Sequence, residues 1–344
     1  MKKSNGFHLI NVVWGEEYMN LFLEVCLPTQ LSTGNIPAFH NEEISLYKIY
    51  TTAKDAEIMV KHPTYQTLSG MIETQIKTFN LSNNYLRDYK HKAMNYCHRN
   101  AILEANKSNC TMIFLSPDTI WADGVFKKLI SLEKQGKRTV MIGSFRLTRE
   151  TFVSAFLERF NPNRNPIVYI SSRELVSLSL KHLHPITRSF FWEKDGYASL
   201  WPSLFLWKVD NEGIVGRYFH LHPLMINPLV KNIMPYPTID GKYVSLICPN
   251  KDDLYVVKDS DEMFYIEVSP ASLYSRFISP HKSKDMITII NWMQSQTEPL
   301  HREFFKNCQI IIHANDISSK WVSVQKESEL IVNQIFAEFE SASL

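Results

Sequence analysis

The sequence predicts an α/β protein, in which a mostly parallel nucleotide-binding sheet is flanked by helices and followed by a mixed α+β C-terminal portion. Three observations support this class. A strand, an amphipathic helix and a second strand fill the first 50 residues, and such a β-α-β opening implies a parallel sheet. A further strand-helix-strand alternation follows between residues 111 and 145. The remaining residues show less regular alternation.

The composition of the 344-residue chain is globular, with 44% hydrophobic and 12% aromatic residues. A formal net charge of +2 argues against a protein that coats nucleic acid, so we expect no nucleic-acid partner. Five dispersed cysteines without a CxxC pair indicate reduced thiols in a cytoplasmic protein. No apolar run reaches 18 residues, so we expect no transmembrane segment, while peripheral membrane contact and a homodimer stay open.

Apolar periodicity assigns the elements of the N-terminal half. The predicted strands are 7–14, 46–50, 73–79, a run that begins at Thr111, and 138–145. The predicted helices are 16–27, 83–106 and 125–134. This order is typical of a nucleotide-binding α/β layer.

The C-terminal half mixes both types of element. The predicted helices are 150–159, 173–182, 284–294 and 328–339. The predicted strands are 203–209, 216–222, 243–248 and 254–257, with a DNEG hairpin turn between the first two.

A candidate metal ligand follows the strand that begins at Thr111, in the segment TMIFLSPDTIWADG. Asp118 comes directly after the apolar run, at the strand's carboxyl end, where open α/β sheets bind ligands. A carboxylate there can bind Mg²⁺ or Mn²⁺, and the cation can hold a diphosphate. Alternatively, Asp118 caps the helix that follows.

Two histidines in the segment RYFHLHPLMINP form a second candidate. In a strand, His220 and His222 lie on the same face, because side chains alternate with a period of two. Two imidazoles on one face can bind a metal or a phosphate. The alternative is a pair of hydrogen-bonded strand histidines.

The segments WGEEY, GNIPAF, YTTAKD, FLSPDTIWADG and FHLHP, in this order, resemble a nucleotide-sugar-dependent glycosyltransferase of the A-type fold over about residues 7–225. The resemblance implies a divalent cation, Mn²⁺ or Mg²⁺, bound by Asp118 and by His222 or His220. The usual Asp-x-Asp is replaced by Ser116-Pro117-Asp118, so only its last carboxylate is present. The residues that the resemblance places at the nucleoside are Trp14, Gly15, Thr51, Thr52 and Asp55.

The resemblance also implies a domain boundary at residue 230. Residues 1–230 would form the nucleotide-sugar-binding and catalytic domain. Residues 231–344 would form an α+β extension that binds the acceptor or oligomerises.

Loss of a nucleoside diphosphate leaves two negative charges that a cation or basic side chains must stabilise. Lys92, Arg99 and Arg146 are candidate phosphate contacts, with ordinary surface charge as the alternative. An inverting reaction would also need a carboxylate base near the acceptor hydroxyl. The candidates are Asp240, Glu174 and Asp195, although Asp240-Gly241 is also an ordinary turn dipeptide and a retaining reaction stays open.

The leading hypothesis is a metal-assisted enzyme that moves a sugar from a nucleotide-diphosphate donor to a glycan, lipid-linked or surface-polysaccharide acceptor. Trp192 and Trp201 could stack on the acceptor or simply build a core. The alternatives are a non-catalytic carbohydrate-binding or scaffold protein and a metal-dependent phosphohydrolase or nucleotidyltransferase. The acidic run 259–262 could bind a cation or form a solvated turn.

Overall fold

The computed structural model describes residues 4–80, 82, 86, 89–162, 164–193, 197–280 and 284–342. Within them the strands are β1 (Phe7–Val12), β2 (Ser45–Thr51), β3 (Glu73–Thr78), β4 (Thr111–Leu115), β5 (Thr119–Trp121), β6 (Thr139–Ile142), β7 (Arg146–Thr148), β8 (Tyr197–Ser199), β9 (Leu204–Val209), β10 (Gly213–Tyr218), β11 (His222–Ile226), β12 (Leu254–Val256), β13 (Tyr265–Ser269), β14 (Ile278–Pro280) and β15 (Ile310–His313).

The α-helices of the described residues are α1 (Glu16–Leu21), α2 (Leu27–Gln30), α3 (Ala53–Met59), α4 (Pro63–Met71), α5 (Lys90–Ser108), α6 (Val125–Lys134), α7 (Arg149–Phe160), α8 (Ser172–Ser179), α9 (Pro185–Ser189), α10 (Tyr243–Ile247), α11 (Met286–Gln296), α12 (Pro299–Asn307) and α13 (Lys320–Ser341). A π-helical turn over Phe22–Cys26 joins α1 to α2. A 3₁₀-helix follows at Ile36–Asn41.

The central sheet has seven strands in the order β12-β6-β11-β4-β1-β2-β3. β1 pairs in parallel with β2 and with β4, and β2 pairs in parallel with β3. β11 runs antiparallel to both β4 and β6. The predicted mostly parallel sheet flanked by helices is therefore confirmed.

Two compact units divide the chain, and their segments alternate along it. The first unit contains the residues up to 142, then 155–170 and 222–255, and the second contains 143–154, 171–221 and the residues from 256 onward. This division differs from the single boundary predicted at residue 230. It differs because the chain returns to the central sheet at residue 222 to add β11.

The core of the first unit lies between the central sheet and helices α5 and α10. All six residues of β1 and all five of β4 are buried, as their apolar runs predicted. Helix α5 turns its small side chains towards the sheet, including the buried Ala93, Cys97 and Ala101. The second unit has its own core, which is built from β9, β10 and helices α11 to α13.

Asn35 in the GNIPAF segment is fully buried and uses its whole side-chain amide. Its Nδ2 donates to the carbonyl oxygen of Thr29 at 3.0 Å and to that of Ala122 at 3.1 Å. Its Oδ1 accepts from the backbone N–H of Phe126 at 3.1 Å. The neighbouring Gly34 donates its N–H to Oδ1 of Asp123 at 2.7 Å. These bonds tie GNIPAF to the segment WADG, so both motifs have a structural role.

Two predicted elements were wrong, and helices α3 and α4 were not predicted. Residues 243–248 form helix α10 and not a strand, because Tyr243, Val244 and Ile247 bury one helical face. The predicted strand 216–222 is broken, since β10 ends at Tyr218 and β11 begins at His222. Helices α3 and α4 lie between the predicted strands 46–50 and 73–79, where no element was predicted.

The five cysteines carry free thiols, as expected. Burial raises the pKa of Cys97 to about 12, so this thiol stays protonated at neutral pH. None of the described helices is both long enough and apolar enough to cross a bilayer.

Replacing Asn35 with Ala should lower the free energy of unfolding by about 3 kcal/mol, because buried backbone groups of Thr29, Ala122 and Phe126 lose their partner. Urea titration followed by circular dichroism measures this loss. The matched control is Asn291→Ala on the exposed face of α11, where we expect a change within about 0.5 kcal/mol. Equal effects of the two substitutions would contradict the role given to Asn35.

His8 predicts a pH dependence of stability. Burial and the nearby Lys48 lower its pKa to about 4, against the partial opposition of Glu104. The native imidazole is therefore neutral at pH 5, whereas the unfolded chain takes up a proton near pH 6.5. The contribution of the neutral His8 to stability is thus fully present above pH 6.5 and is lost as the pH falls towards 4.

Between pH 7 and pH 5 this difference should remove about 2 kcal/mol of the free energy of unfolding. In His8→Gln, the free energy of unfolding should fall by about 2 kcal/mol less between pH 7 and pH 5 than in the parent protein. Urea titration at pH 7 and at pH 5 measures this difference. His40→Gln, at an exposed position, should leave the pH dependence as it is in the parent protein. An unchanged pH dependence in His8→Gln would refute the assignment.

Candidate functional site

The first unit gathers most of the predicted site residues at one edge of its sheet. β1, β2 and β4 are mutually parallel, so their carboxyl ends meet at this edge. β11 is antiparallel to β4, so its first residue, His222, reaches the same edge. In open α/β sheets this is the edge at which ligands bind.

Asp55 connects the end of β1 to the end of β2. Its Oδ2 accepts hydrogen bonds from the backbone N–H of Gly15 at 2.9 Å and from the hydroxyl of Thr52 at 2.8 Å. Thr52 in turn caps α3 by accepting from the N–H of Asp55. Gly15 has φ +81°, a conformation that side-chain-bearing residues rarely adopt. The sequence predicted these residues at the nucleoside, and the structure shows that they also build the edge.

Trp14 and Thr51 flank this connection. Trp14 is half-buried and packs edge-on against Phe79, with ring centroids 5.8 Å apart. Thr51 is completely buried, and its hydroxyl has no hydrogen-bond partner among the described residues. Of the two, only Trp14 presents a side chain at the surface of the edge.

Asp118 lies in the turn that follows β4, where the hydroxyl of Thr119 donates to the carbonyl oxygen of Ser116 at 2.6 Å. The alternative that Asp118 caps the next helix is wrong. The short strand β5 follows it, and α6 begins only at Val125 with Gly124 as its N-cap. Asp118 is half-buried. Burial first, and then the charge of Asp118, raise the pKa of the Cys26 thiol well above its ordinary value.

His222 is fixed by the strand next to it. Its Nε2 lies 3.0 Å from the carbonyl oxygen of Phe114 in β4. A carbonyl oxygen only accepts hydrogen bonds, so Nε2 carries the proton. This bond orients the ring at the edge of the sheet.

His220 does not share a face with His222, so that prediction was wrong. The strand is interrupted between them, because the chain bends after Tyr218 and enters another sheet. His220 belongs to the second unit, where its ring lies 4.3 Å from that of His301 and 5.7 Å from that of Trp292.

His98 is a residue of this edge that the sequence analysis missed. It lies on α5, is 5% exposed, and packs edge-on against the ring of Phe114 at 5.2 Å. Its Nδ1 has no hydrogen-bond partner among the described residues. Burial, and then His222, lower the pKa of His98 to about 4, whereas Asp240 raises it. The sequence feature that could have pointed to His98 is its position next to Cys97 on the buried face of α5.

Asp240 is the predicted base that lies in the first unit, and its carboxylate accepts a hydrogen bond from the hydroxyl of Thr238. Glu174 lies in the second unit, in the first turn of α8, where its N–H donates to the Ser171 hydroxyl at 3.3 Å. Asp195 lies outside the described residues. Of the two predicted carboxylates that the structure describes, Asp240 is therefore the one near His98.

The predicted phosphate contacts are not gathered at the edge. Lys92 and Arg99 are both exposed on α5, and the Lys92 Nζ lies 4.6 Å from the centroid of the Tyr89 ring. Arg146 belongs to the second unit, where it forms an ion pair with Glu267 and lies over the ring of Tyr274. A phosphate would have to compete with that carboxylate for its guanidinium.

The donor atoms of Asp118 and His222 suit a divalent cation, since Mn²⁺ accepts carboxylate oxygen and imidazole nitrogen together. In the part of the chain that the structure describes, three ligand atoms within 4.8 Å of one another occur at Asp259, Asp261 and His313. Asp118 and His222 are not in that group. At the edge the protein thus offers two ligands, and diphosphate oxygens or water would complete the shell.

No protein-family model and no curated protein matches this sequence. The structure is similar to that of S. aureus TarS, with 9% sequence identity and a TM-score of 0.34 over 97% of this chain and 42% of that chain. For S. aureus TarS 1–349 the identity is 11% and the TM-score 0.35, over 97% and 70% of the two chains. For the apo form of mouse xyloside xylosyltransferase 1 the identity is 11% and the TM-score 0.26, over 47% of this chain and 58% of that chain. The chain therefore spans less than half of the first of these proteins.

The carboxylate of Asp55 predicts a stability effect. Asp55→Ala should lower the free energy of unfolding by about 2 kcal/mol, because the N–H of Gly15 and the hydroxyl of Thr52 lose a charged acceptor. Asp55→Asn keeps one side-chain oxygen and should lose less. Urea titration measures both, and Glu57→Ala on the exposed face of α3 is the matched control. A loss in Asp55→Ala no larger than in the control would contradict the connecting role.

Proposed function

We propose that this protein transfers a sugar from a nucleoside-diphosphate donor to a hydroxyl group of a glycan, lipid-linked or surface-polysaccharide acceptor. The observation that carries the proposal is the arrival of Asp118 and His222 at one edge of one sheet. Asp118 follows β4, and His222 is bonded to the backbone of that same strand. Residues more than a hundred positions apart in sequence thus lie at the edge of the sheet where a diphosphate could bind.

The donor would lie across the ends of β1, β2 and β4. The half-buried indole of Trp14 offers a face for the base, and the turn at Gly15 leaves space beside the backbone, since a Cβ there would contact nothing within 4 Å. Thr52 and Asp55 support this turn from beneath.

A divalent cation, Mn²⁺ or Mg²⁺, would be held by the carboxylate of Asp118 and by the imidazole of His222. When bound, it would neutralise the charge that develops on the leaving diphosphate. The bond from His222 to Phe114 orients the imidazole at this edge.

Asp240 is the carboxylate we assign as the base that takes the proton of the acceptor hydroxyl. It lies close enough to His98 to raise the pKa of that imidazole, whereas His222 lowers the same pKa. Asp240 is half-exposed, so an acceptor can reach it from solvent. The hydroxyl of Thr238 positions the carboxylate by donating to it.

The sequence predicted two tryptophans as candidates for stacking on a sugar, Trp192 and Trp201. Trp201 is 41% exposed and packs against Phe277 and Trp292, so its free face can stack on a sugar ring. Trp192 is half-buried against Trp207, which makes it a core residue first. Both tryptophans belong to the second unit, and of the two Trp201 is the one whose ring a sugar could reach.

A carbohydrate-binding protein without turnover is the second candidate, and one observation favours it. Ser116 stands where the first carboxylate of an Asp-x-Asp would be, and its carbonyl oxygen is used within the turn by Thr119. Release of free sugar from a nucleotide sugar without acceptor separates the candidates, because a binding protein releases none. Release of inorganic phosphate instead would indicate a phosphohydrolase.

Asp118→Asn should weaken the binding of a nucleoside diphosphate in the presence of Mn²⁺ at least tenfold, because the cation loses a charged ligand. Isothermal titration calorimetry with a panel of nucleoside diphosphates, with and without Mn²⁺, measures this change. Asp210→Asn, at an exposed position in the β9–β10 hairpin, is the control and should bind as the parent protein does. Absence of binding to every nucleotide in the parent protein would refute the proposal.

A further inference from the structure

A second group of cation ligands lies wholly within the second unit, at the end of β15. Strand β15 ends at His313, and the segment 258–260 pairs with it. The N–H of Ile311 donates to the carbonyl oxygen of Lys258 at 2.8 Å, and the N–H of Ser260 donates back to Ile311 at 2.9 Å. The Ser260 hydroxyl also accepts from the N–H of His313. Backbone bonds therefore hold the acidic turn against the histidine.

Three side chains converge at this point. Nε2 of His313 lies 2.9 Å from Oδ1 of Asp259 and 3.7 Å from Oδ2 of Asp261. His313 is 3% exposed, whereas the two carboxylates are partly exposed, so a cation could enter from the side of the acids. The group is thus formed by one buried imidazole and two carboxylates that solvent can reach.

The hydrogen bond that Nδ1 of His313 makes determines whether Nε2 can accept a cation. Nδ1 lies 2.6 Å from the carbonyl oxygen of Asn315, which can only accept, so Nδ1 carries a proton. In the neutral ring, Nε2 then points a lone pair at two carboxylates. Such an arrangement of three acceptors needs a positive charge between them, and either a proton or a metal ion supplies it.

We propose that Asp259, Asp261 and His313 bind a divalent transition-metal cation. Two carboxylate oxygens with one imidazole nitrogen suit Mn²⁺, Fe²⁺ or Zn²⁺ better than Ca²⁺, which prefers oxygen ligands throughout. A histidine that ligates a metal almost always donates its other N–H to a carbonyl or carboxylate, as His313 does to Asn315.

Arg173 completes the surroundings of this site. It donates from Nε and Nη2 to Asp261 and from Nη1 to Asp316. A bound cation would join the acidic turn, β15 and, through Arg173, helix α8, and would therefore stabilise the second unit.

The experiment uses the full chain carrying Asp118→Asn and His222→Gln, so that the ligands proposed at the sheet edge cannot contribute. After treatment with a chelator, this protein is titrated with Zn²⁺ and with Mn²⁺ by calorimetry, and its thermal unfolding is followed with and without the metal. We expect one site per chain and a rise in Tm on addition of the metal. When Asp259→Asn is added to this double variant, metal binding should weaken at least tenfold and the rise in Tm should disappear.

The matched control is Asp316→Asn, which removes a neighbouring acid that also binds Arg173 but offers no ligand to the group. It should bind the metal with the affinity of its parent. Circular dichroism confirms that each variant is folded. The proposal is overturned if the chelator-treated protein binds neither metal, or if Asp259→Asn binds as tightly as its parent. The first result would show that His313 is simply a protonated partner of the two acids.

Discussion

The hydrogen bonds that the Asp55 carboxylate accepts from Gly15 and Thr52 fix the ends of the first two strands against each other. Parallel pairing already brings these ends to one edge, but pairing does not set the path of the loops that follow. Because a single buried carboxylate binds both loops, the backbone at Gly15 can hold its positive φ while Trp14 stays at the surface. The candidate donor site depends on this constraint.

A second polar connection supports the other side of the sheet edge. Asn35 and Gly34 bind the loop before α6, so the segment that carries Asp118 is held at its C-terminal end. Buried amides of this kind are costly if a partner is lost, and here Asn35 has partners for both its oxygen and its nitrogen. Conformational freedom is thereby removed from the loop before a ligand binds, which lowers the entropy that binding must overcome.

The two histidines of FHLHP show how the architecture separates neighbours. β10 belongs to an antiparallel sheet with β9 and β15, whereas β11 pairs with β4 and β6. Phe219 to Leu221 carry the chain from one sheet to the other, and His220 and His222 thus belong to different compact units. Of the two, His222 is the one bonded to the strand that precedes Asp118.

The sequence by itself determined the α/β class, the strands with continuous apolar runs and the arrival of Asp118 after β4, because burial on both faces of a parallel sheet demands such runs. It did not determine α10, where Tyr243 and Val244 favoured a strand although their burial follows a helical face. Short helices such as α3 carry too few residues for periodicity to detect. Nor could it find His98 beside His222, or His313 beside Asp259, since these pairs are 124 and 54 positions apart and only the packing of distant elements joins them. Hydrophobic pattern is a local property of the chain, whereas a site made of side chains from several elements exists only once those elements have packed.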